Sequence, residues 1–414
     1  MDALHDTPTP ALDITDVIAR RRLVSHLQPL VSVKRRSVIG YEALARGRGD
    51  NGGVVCPADL FAAACDFDTR LALDRLCREC AVEAFAGLHK NNRGLVLSIN
   101  VDATIIGKRT RNSRHLMDAV KARGLSPNNV IIEIIESSAP EFGELVDFVE
   151  HYRKNGFLIA LDDFGAGHSN LDRIAALRPD VLKLDRSLVG GVHEHFHQQE
   201  VVKSFVRMAE RIGAMVLAEG TERIEEVLAL MDLGVDVFQG FFFARPAPEE
   251  PDLKALGETF EALSRLYRTG VMERIAADKQ LYAVYDALLS KLCRRLTAPR
   301  RGRLDQALIA CLEEHQGIEC LYVLDSAGTQ VSGTICNPLT LSKKKRFIYE
   351  PAAPGADHSL KEYVIPLKAG LRKYTTEPYL SLASGNRCIT ISTIYYDPEA
   401  GCDRILCMDI AQPF

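Results

Sequence analysis

Asp162 and Asp163 close an apolar run, Phe157 to Leu161, and open a glycine-containing loop, Phe164 to Asn170. Such a run has the character of a buried strand. Two adjacent carboxylates at its mouth repel each other, and burial strips each of solvation. A cation between them removes both penalties, and hard divalent ions such as Mg²⁺ take oxygen ligands of this kind. The same pair would also serve as a helix cap at a strand-to-helix turn. The pair alone leaves both roles open.

Polar side chains recur at comparable places along the chain. Apolar strands end at Glu42, Asn100, Glu133, Asp162 with Asp163, Lys183 with Asp185, Glu219 and Gln239. The elements that would carry them alternate. Leu27–Val33 and Val38–Arg46 read as a hairpin across the basic turn 34–36. Helices are expected from Pro57 and over 69–89. Strands at 95–100, 130–134, 157–162, 181–185 and 215–219 are each followed by a helix, at 113–123, 141–155, 170–177, 198–212 and 224–231, and a last strand follows at 237–243. Repeated strand–helix units predict a parallel sheet covered by helices. Their number predicts an α/β fold, a modified (β/α)8 TIM-like barrel with an altered start. The C-terminal strand ends of a barrel converge on one face, so these polar residues would share one pocket.

These residues resemble the EAL domain, the cyclic-di-GMP phosphodiesterase module. Glu42-Ala43-Leu44-x-Arg46 matches its name motif, and Gln28-Pro29 its opening. Ser98-x-Asn100, Glu133-x-x-Glu136, Asp162-Asp163-Phe164-Gly165-x-Gly167, Lys183-x-Asp185, Glu219-Gly220-x-Glu222 and Gln239-Gly240 follow in family order. The resemblance spans about Arg21 to Pro248. It implies two divalent cations, Mg²⁺ or Mn²⁺. Glu42, Asn100, Glu133 and Asp162 would hold one; Asp162 and Asp163 would hold the second, with Glu219 as a further ligand or water-orienting group. Lys183 would act on the attacking water, and Gln239 would line the water and ligand pocket. Glu136 would tie down the loop after Asp163, and Asp185 and Glu222 complete the catalytic set. Gln28, Leu44, Arg46, Arg245 and Pro246 would meet the dinucleotide. The implied reaction opens cyclic-di-GMP to linear pGpG; a receptor that binds without cutting is the alternative. Ile135, Ala166, His168 and Thr221 depart from common family residues, and none is an implied ligand.

Composition narrows the remaining classes. The 414 residues carry a net charge of −4 with 26% charged side chains, which gives no general affinity for duplex nucleic acid or a membrane surface. No apolar run reaches the length of a membrane span. Residues 1–20 read as a polar leader without a signal core, and the expected location is the cytoplasm. The 11 cysteines sit mostly in apolar context and read as reduced buried thiols. Cys77-x-x-Cys80 has no second pair nearby, and His193-x-His195-x-His197 reads as solvated loop before a metal site. Lys343 to Arg346 reads as solvated loop too. With no Trp in the chain, guanine stacking would fall to Phe, Tyr or Arg.

A barrel over 21–252 is followed by long amphipathic helices over 253–298, with Leu281, Val284, Leu288 and Leu292 on one stripe. That stripe needs a partner, so a homodimer is expected. A helix at 304–314 and strands at 320–324, 329–332, 388–395 and 404–410 follow. Residues 299–414 resemble a PAS- or Cache-type α+β domain, weakly. They would take a small-molecule signal and regulate the barrel through the loop after Asp163, or act as a ligandless dimerisation domain.

Overall fold

The computed structural model describes residues 12–49, 53–107, 109–110, 112–135, 141–165, 171–298, 303–315, 317–339 and 350–412. The chain divides into two compact units, Met1–Val271 and Met272–Phe414.

The first unit is built on β1 (Leu23–Ser32), β2 (Ser37–Arg48), β3 (Val54–Val55), β4 (Val96–Val101), β5 (Val130–Ile135), β6 (Leu158–Phe164), β7 (Val181–Leu184), β8 (Met215–Ala218) and β9 (Val237–Phe238). The order β1-β9-β8-β7-β6-β5-β4-β2, with β1 paired back to β2, closes an eight-stranded barrel; β3 extends β2. β1 runs antiparallel to β2 and β9, and the other barrel pairs are parallel. The connection between β1 and β2 is too short for a parallel crossover, which needs a dozen residues or more. That hairpin is the altered start.

Side chains alternate across a strand, so each barrel strand has an inner and an outer row. Ile132, Ile134, Ile159, Leu182, Leu184, Val216 and Phe238 face outward into the helix-covered core. Leu30, Ile131, Ala160, Val181, Leu217 and Val237 fill the inside as one layer. Two residues further along β5 to β9 the same inner row reaches Glu133, Asp162, Lys183, Glu219 and Gln239. On reversed β1 the step is two residues back, to Gln28. At Gly40 of β2 a Cβ would lie 2.4 Å from the Val96 carbonyl oxygen, so glycine lets β2 settle against β4 and sets Glu42 beside Asn100.

A helix, Ile14–Ala19, stands within the stretch expected to be a polar leader. Asp13 caps it through the amides of Thr15 and Asp16, and Ile14 and Val17 pack with Leu60, Leu73 and Leu76. The acids that suggested a leader are there to start and pair the helix.

The helix Leu253–Thr297 is one continuous 45-residue element rather than several. Leu288 and Leu292 of the expected stripe join the second unit's core, whereas Leu281 and Val284 are exposed. The second unit's sheet comprises β10 (Cys320–Asp325), β11 (Ile335–Cys336), β12 (Lys373–Thr375), β13 (Tyr379–Leu380), β14 (Arg387–Asp397) and β15 (Cys402–Ala411). All its pairings are antiparallel, in the order β11-β10-β15-β14-β12. The strand expected at 329–332 is reduced to two isolated bridges, Leu324 to Gln330 and Thr329 to Asp357. The Gln330 side-chain amide donates to the Ser332 carbonyl at 2.8 Å and to the Ala352 carbonyl at 3.0 Å, which bends the segment out of the ladder. Among the described residues no helix is long and apolar enough to cross a membrane.

Candidate active site

The inner row at the C-terminal strand ends brings the expected acids together around Lys183. Its Nζ lies 2.5 Å from Glu219 Oε1, 2.7 Å from Glu133 Oε2, 3.4 Å from Asp162 Oδ1 and 3.7 Å from Glu42 Oε2. Glu42 is held on both oxygens: Asn100 Nδ2 donates to Oε1 at 2.7 Å and Gln239 Nε2 to Oε2 at 2.5 Å. Gln239 Nε2 also reaches Gln28 Oε1 at 2.9 Å, and Gln28 Nε2 donates to the Ala244 carbonyl at 3.0 Å. Ser98 Oγ donates to Glu133 Oε1 at 2.5 Å. Gln28 is therefore buried in the floor, where it bonds Gln239, which in turn holds Glu42.

Four carboxylates share one ammonium. Burial pushes Glu133 well above the usual carboxylate range; Glu42, Asp162 and Glu219 add to this against Lys183. Burial lifts Glu219 to about 8 despite Lys183. Burial would raise Glu42 too, but Lys183, Gln239 and Asn100 hold it below its ordinary value. Burial alone would lower Lys183; Glu133, Glu42, Glu219 and Asp162 raise it instead.

β6 carries its acids on an irregularity. The β6–β7 register shifts between Leu161 and Phe164, and Asp163 takes φ 54°. A bulge of this kind re-aims side chains, and Asp tolerates the left-handed region better than most residues. Asp163 N donates to Asp162 Oδ1 at 2.9 Å, and Asp162 faces Lys183. Burial raises the Asp163 carboxyl, and Asp162 and Asp185 add repulsion.

Two expected catalytic acids stand outside the cluster. Asp185 caps the helix Arg186–Val189, accepting from Ser187 N at 2.9 Å. Glu222 pairs with Arg186 at 3.1 Å at the surface. Glu136 lies outside the described residues, as do Ala166 and His168. Arg46 Nη1 donates to the Ala45 carbonyl at 2.8 Å, and Arg245 stacks 4.2 Å from the ring centre of half-exposed Phe241. Leu44 and Asn100 line a cavity of about 330 Å³ with Phe61, Arg70 and Asp102. Pro246 precedes Ala247, which bridges to Leu27 of β1.

Sequence reading missed two positioning residues. Arg186 donates to the Gly220 carbonyl, directly after Glu219. Buried Glu226 accepts from Glu222 N at 2.9 Å, Arg223 N at 3.1 Å and Gly191 N at 3.1 Å, fixing that loop. Only a helix N3 glutamate signals the latter in sequence. Cys77 is a half-buried thiol raised by burial, and buried Cys80 Sγ faces the Leu23 carbonyl at 3.8 Å.

The donor set suits a divalent cation. Among the described residues the acids close on Lys183 and no three of them stand in metal-holding geometry. Yet Glu133 Oε2 and Glu219 Oε1 lie within ion-pair distance of Lys183 without hydrogen-bond alignment. Buried hard oxygens, in excess over positive charge and incompletely bonded, are what a hard cation satisfies.

Similarity to known proteins agrees with the fold. The EAL-domain-containing protein YkuI of Bacillus subtilis is 25% identical over 92% of this chain and 94% of its own length. Its crystal structure, in complex with c-di-GMP and calcium, superposes with a TM-score of 0.82 at 22% identity, covering 97% of this chain and 100% of that one. The cyclic di-GMP phosphodiesterase RocR of Pseudomonas aeruginosa is 30% identical over 55% of this chain and 58% of its own length. BlrP1 of Klebsiella pneumoniae, solved with manganese and c-di-GMP, matches 55% of this chain and 56% of that one at 33% identity and a TM-score of 0.50. The matched region spans about a third of several other relatives. Residues 11–246 match the EAL domain, and the chain belongs to the EAL-domain family.

Proposed function

We propose that the barrel hydrolyses cyclic-di-GMP to linear pGpG with bound divalent cations, Mg²⁺ or Mn²⁺. The observation that carries this reading is the convergence of Glu42, Asn100, Glu133 and Asp162 with Lys183 and Glu219 in one inner layer of the barrel. When bound, two such cations neutralise the phosphodiester, activate water and stabilise the departing oxygen. Glu42, Asn100, Glu133 and Asp162 would hold one, and Asp162, Asp163 and Glu219 the other. Gln28 and Gln239 keep Glu42 oriented. Lys183 supplies positive charge where the attacking oxygen and phosphate meet. Arg46 and Arg245 offer guanidinium groups to phosphate, and Phe241 offers a ring face to guanine.

Incubating the full chain with cyclic-di-GMP and Mn²⁺, then separating nucleotides by chromatography, tests this. Expected is accumulation of pGpG that stops with chelator. Binding of cyclic-di-GMP without pGpG would make the protein a receptor.

The same reading extends to assembly. The exposed apolar side chains Met272, Ile275, Leu281 and Val284 on the long helix support a homodimer. The second unit is read as the receiver of a small-molecule signal.

A further inference from the structure

The sheet of the second unit has two unlike faces. On one, Leu321, Val323, Leu406 and Met408 pack against Leu292 and Leu308. On the other, the alternation that places Ile405 and Cys407 in an apolar cluster continues to Asp409. A cavity of about 470 Å³ is lined by Asp409 and by the side chains of Tyr322, Tyr363 and Tyr379. Sites for small organic molecules occupy ~300–1,000 Å³.

Asp409 is 2% exposed, and a carboxyl so placed is costly without compensation. Thr390 Oγ1 donates to Asp409 Oδ1 at 2.7 Å, and Tyr379 lies 2.5 Å from Thr390 Oγ1. The single threonine proton goes to the carboxyl, so the Tyr379 hydroxyl donates. Nearby Glu319 is fully buried; Asn386 donates to its Oε1 at 3.0 Å, while its Oε2 has no hydrogen-bond partner among the described residues. Among the described residues neither acid is in an ion pair.

His358 adds no charge to the wall. Its Nε2 is 2.9 Å from Gln330 Oε1, and its Nδ1 is 2.6 Å from the Tyr363 hydroxyl. An amide oxygen only accepts, so Nε2 carries the proton, and in the neutral ring Nδ1 accepts from the Tyr363 hydroxyl. Burial also lowers its basicity. Among the described residues lining it, the exposed Glu350, Asp357 and Glu362 outnumber Lys361. The cavity thus presents a buried acceptor, aromatic faces and a negative field. That combination attracts a cation and disfavours an anion.

We propose that this cavity binds a small organic cation, an amine whose ammonium group sits on Asp409 among the tyrosine rings. The proposal rests on reading the second unit as a signal receiver and names the site and ligand class. The test is calorimetric titration of the full chain at about pH 8, where Asp409 is ionised, with phenethylamine, putrescine and choline, against neutral 2-phenylethanol and anionic phenylacetate. Expected is saturable binding of at least one cation, about tenfold or more tighter than either uncharged or anionic probe. Asp409→Asn should weaken it about tenfold or more with the fold kept by circular dichroism. Ala383→Trp, which fills the cavity and leaves Asp409 in place, should abolish it, and decides the matter if Asp409→Asn folds poorly. Equal or tighter binding of the neutral or anionic probe, blocked by Ala383→Trp, overturns the ligand class and keeps the receiver. Cation binding that survives both variants overturns the site. No binding of any probe up to ~10 mM overturns the proposal and the receiver reading together.

Discussion

Glu42→Gln and Asp162→Asn each remove one charge from an oxygen set that would hold a hard cation. Each should lower turnover at saturating Mn²⁺ by about 10²-fold or more, read from initial rates of pGpG formation. Wild-type rates in both would misplace the site. Lys183→Ala should cost kcat about 10²-fold with nucleotide affinity nearly kept, because its charge acts at the reacting phosphate. Arg46→Ala should do the reverse, weakening binding about tenfold with kcat kept. At Asp409 the checkable quantity is stability. Burial lifts its carboxyl to about 7. Below that pH it stays protonated in the folded chain where the unfolded chain has lost the proton, and above it the carboxylate is ionised. Its stabilisation is full below about 3.9 and is lost as pH rises through about 7. His358, lowered by burial, acts oppositely, losing stability as pH falls below about 6.5. Comparison with Asp409→Asn cancels the histidine. Between about pH 5 and 8 the thermal midpoint of the wild-type chain should fall relative to that variant; a constant gap would refute the assignment.

At the scale of elements, the strand–helix units were legible because each strand is a run of β-branched and apolar residues that a polar residue ends. The convergence of polar residues in one inner layer followed from that ending, since a fixed two-residue period carries the inner row from Val181 to Lys183. What the ending cannot show is which carboxylate turns inward. Asp185 sits at a strand end too, but its carboxylate accepts a hydrogen bond from Ser187 N. The register shift before Phe164 was equally hidden, because a bulge changes pairing without changing residue type. The Ile14–Ala19 helix escaped notice because its capping acids resemble a solvated tail. Gly240 ties two such elements. A Cβ there would lie 2.0 Å from Thr221 O and 2.4 Å from Thr221 N, both backbone atoms that cannot step aside. Gly240→Ala should cost ~2–4 kcal/mol in denaturant unfolding and displace neighbouring Gln239. Unchanged stability would mean that the loop after Glu219 yields freely.

For the whole molecule, light scattering of the full chain should give twice the mass of one copy, and Leu281→Glu with Val284→Glu should halve it. A single-copy mass for the wild-type chain would leave the exposed helix stripe without a partner. Barrel closure carries a different consequence, in time rather than space. The Gln239–Gln28 bond joins residues 211 positions apart and the Gln239–Glu42 bond 197. Neither can form until β9 returns to β1. Contacts of such long range are slow to gain, since the chain pays the entropy of closing the loop first. On a ribosome, a nascent chain that has not yet produced β9 would hold Glu42 without its amide brace. Refolding followed by β-sheet circular dichroism should therefore run ahead of recovered Mn²⁺ affinity, with the metal-competent site arriving in the last kinetic phase.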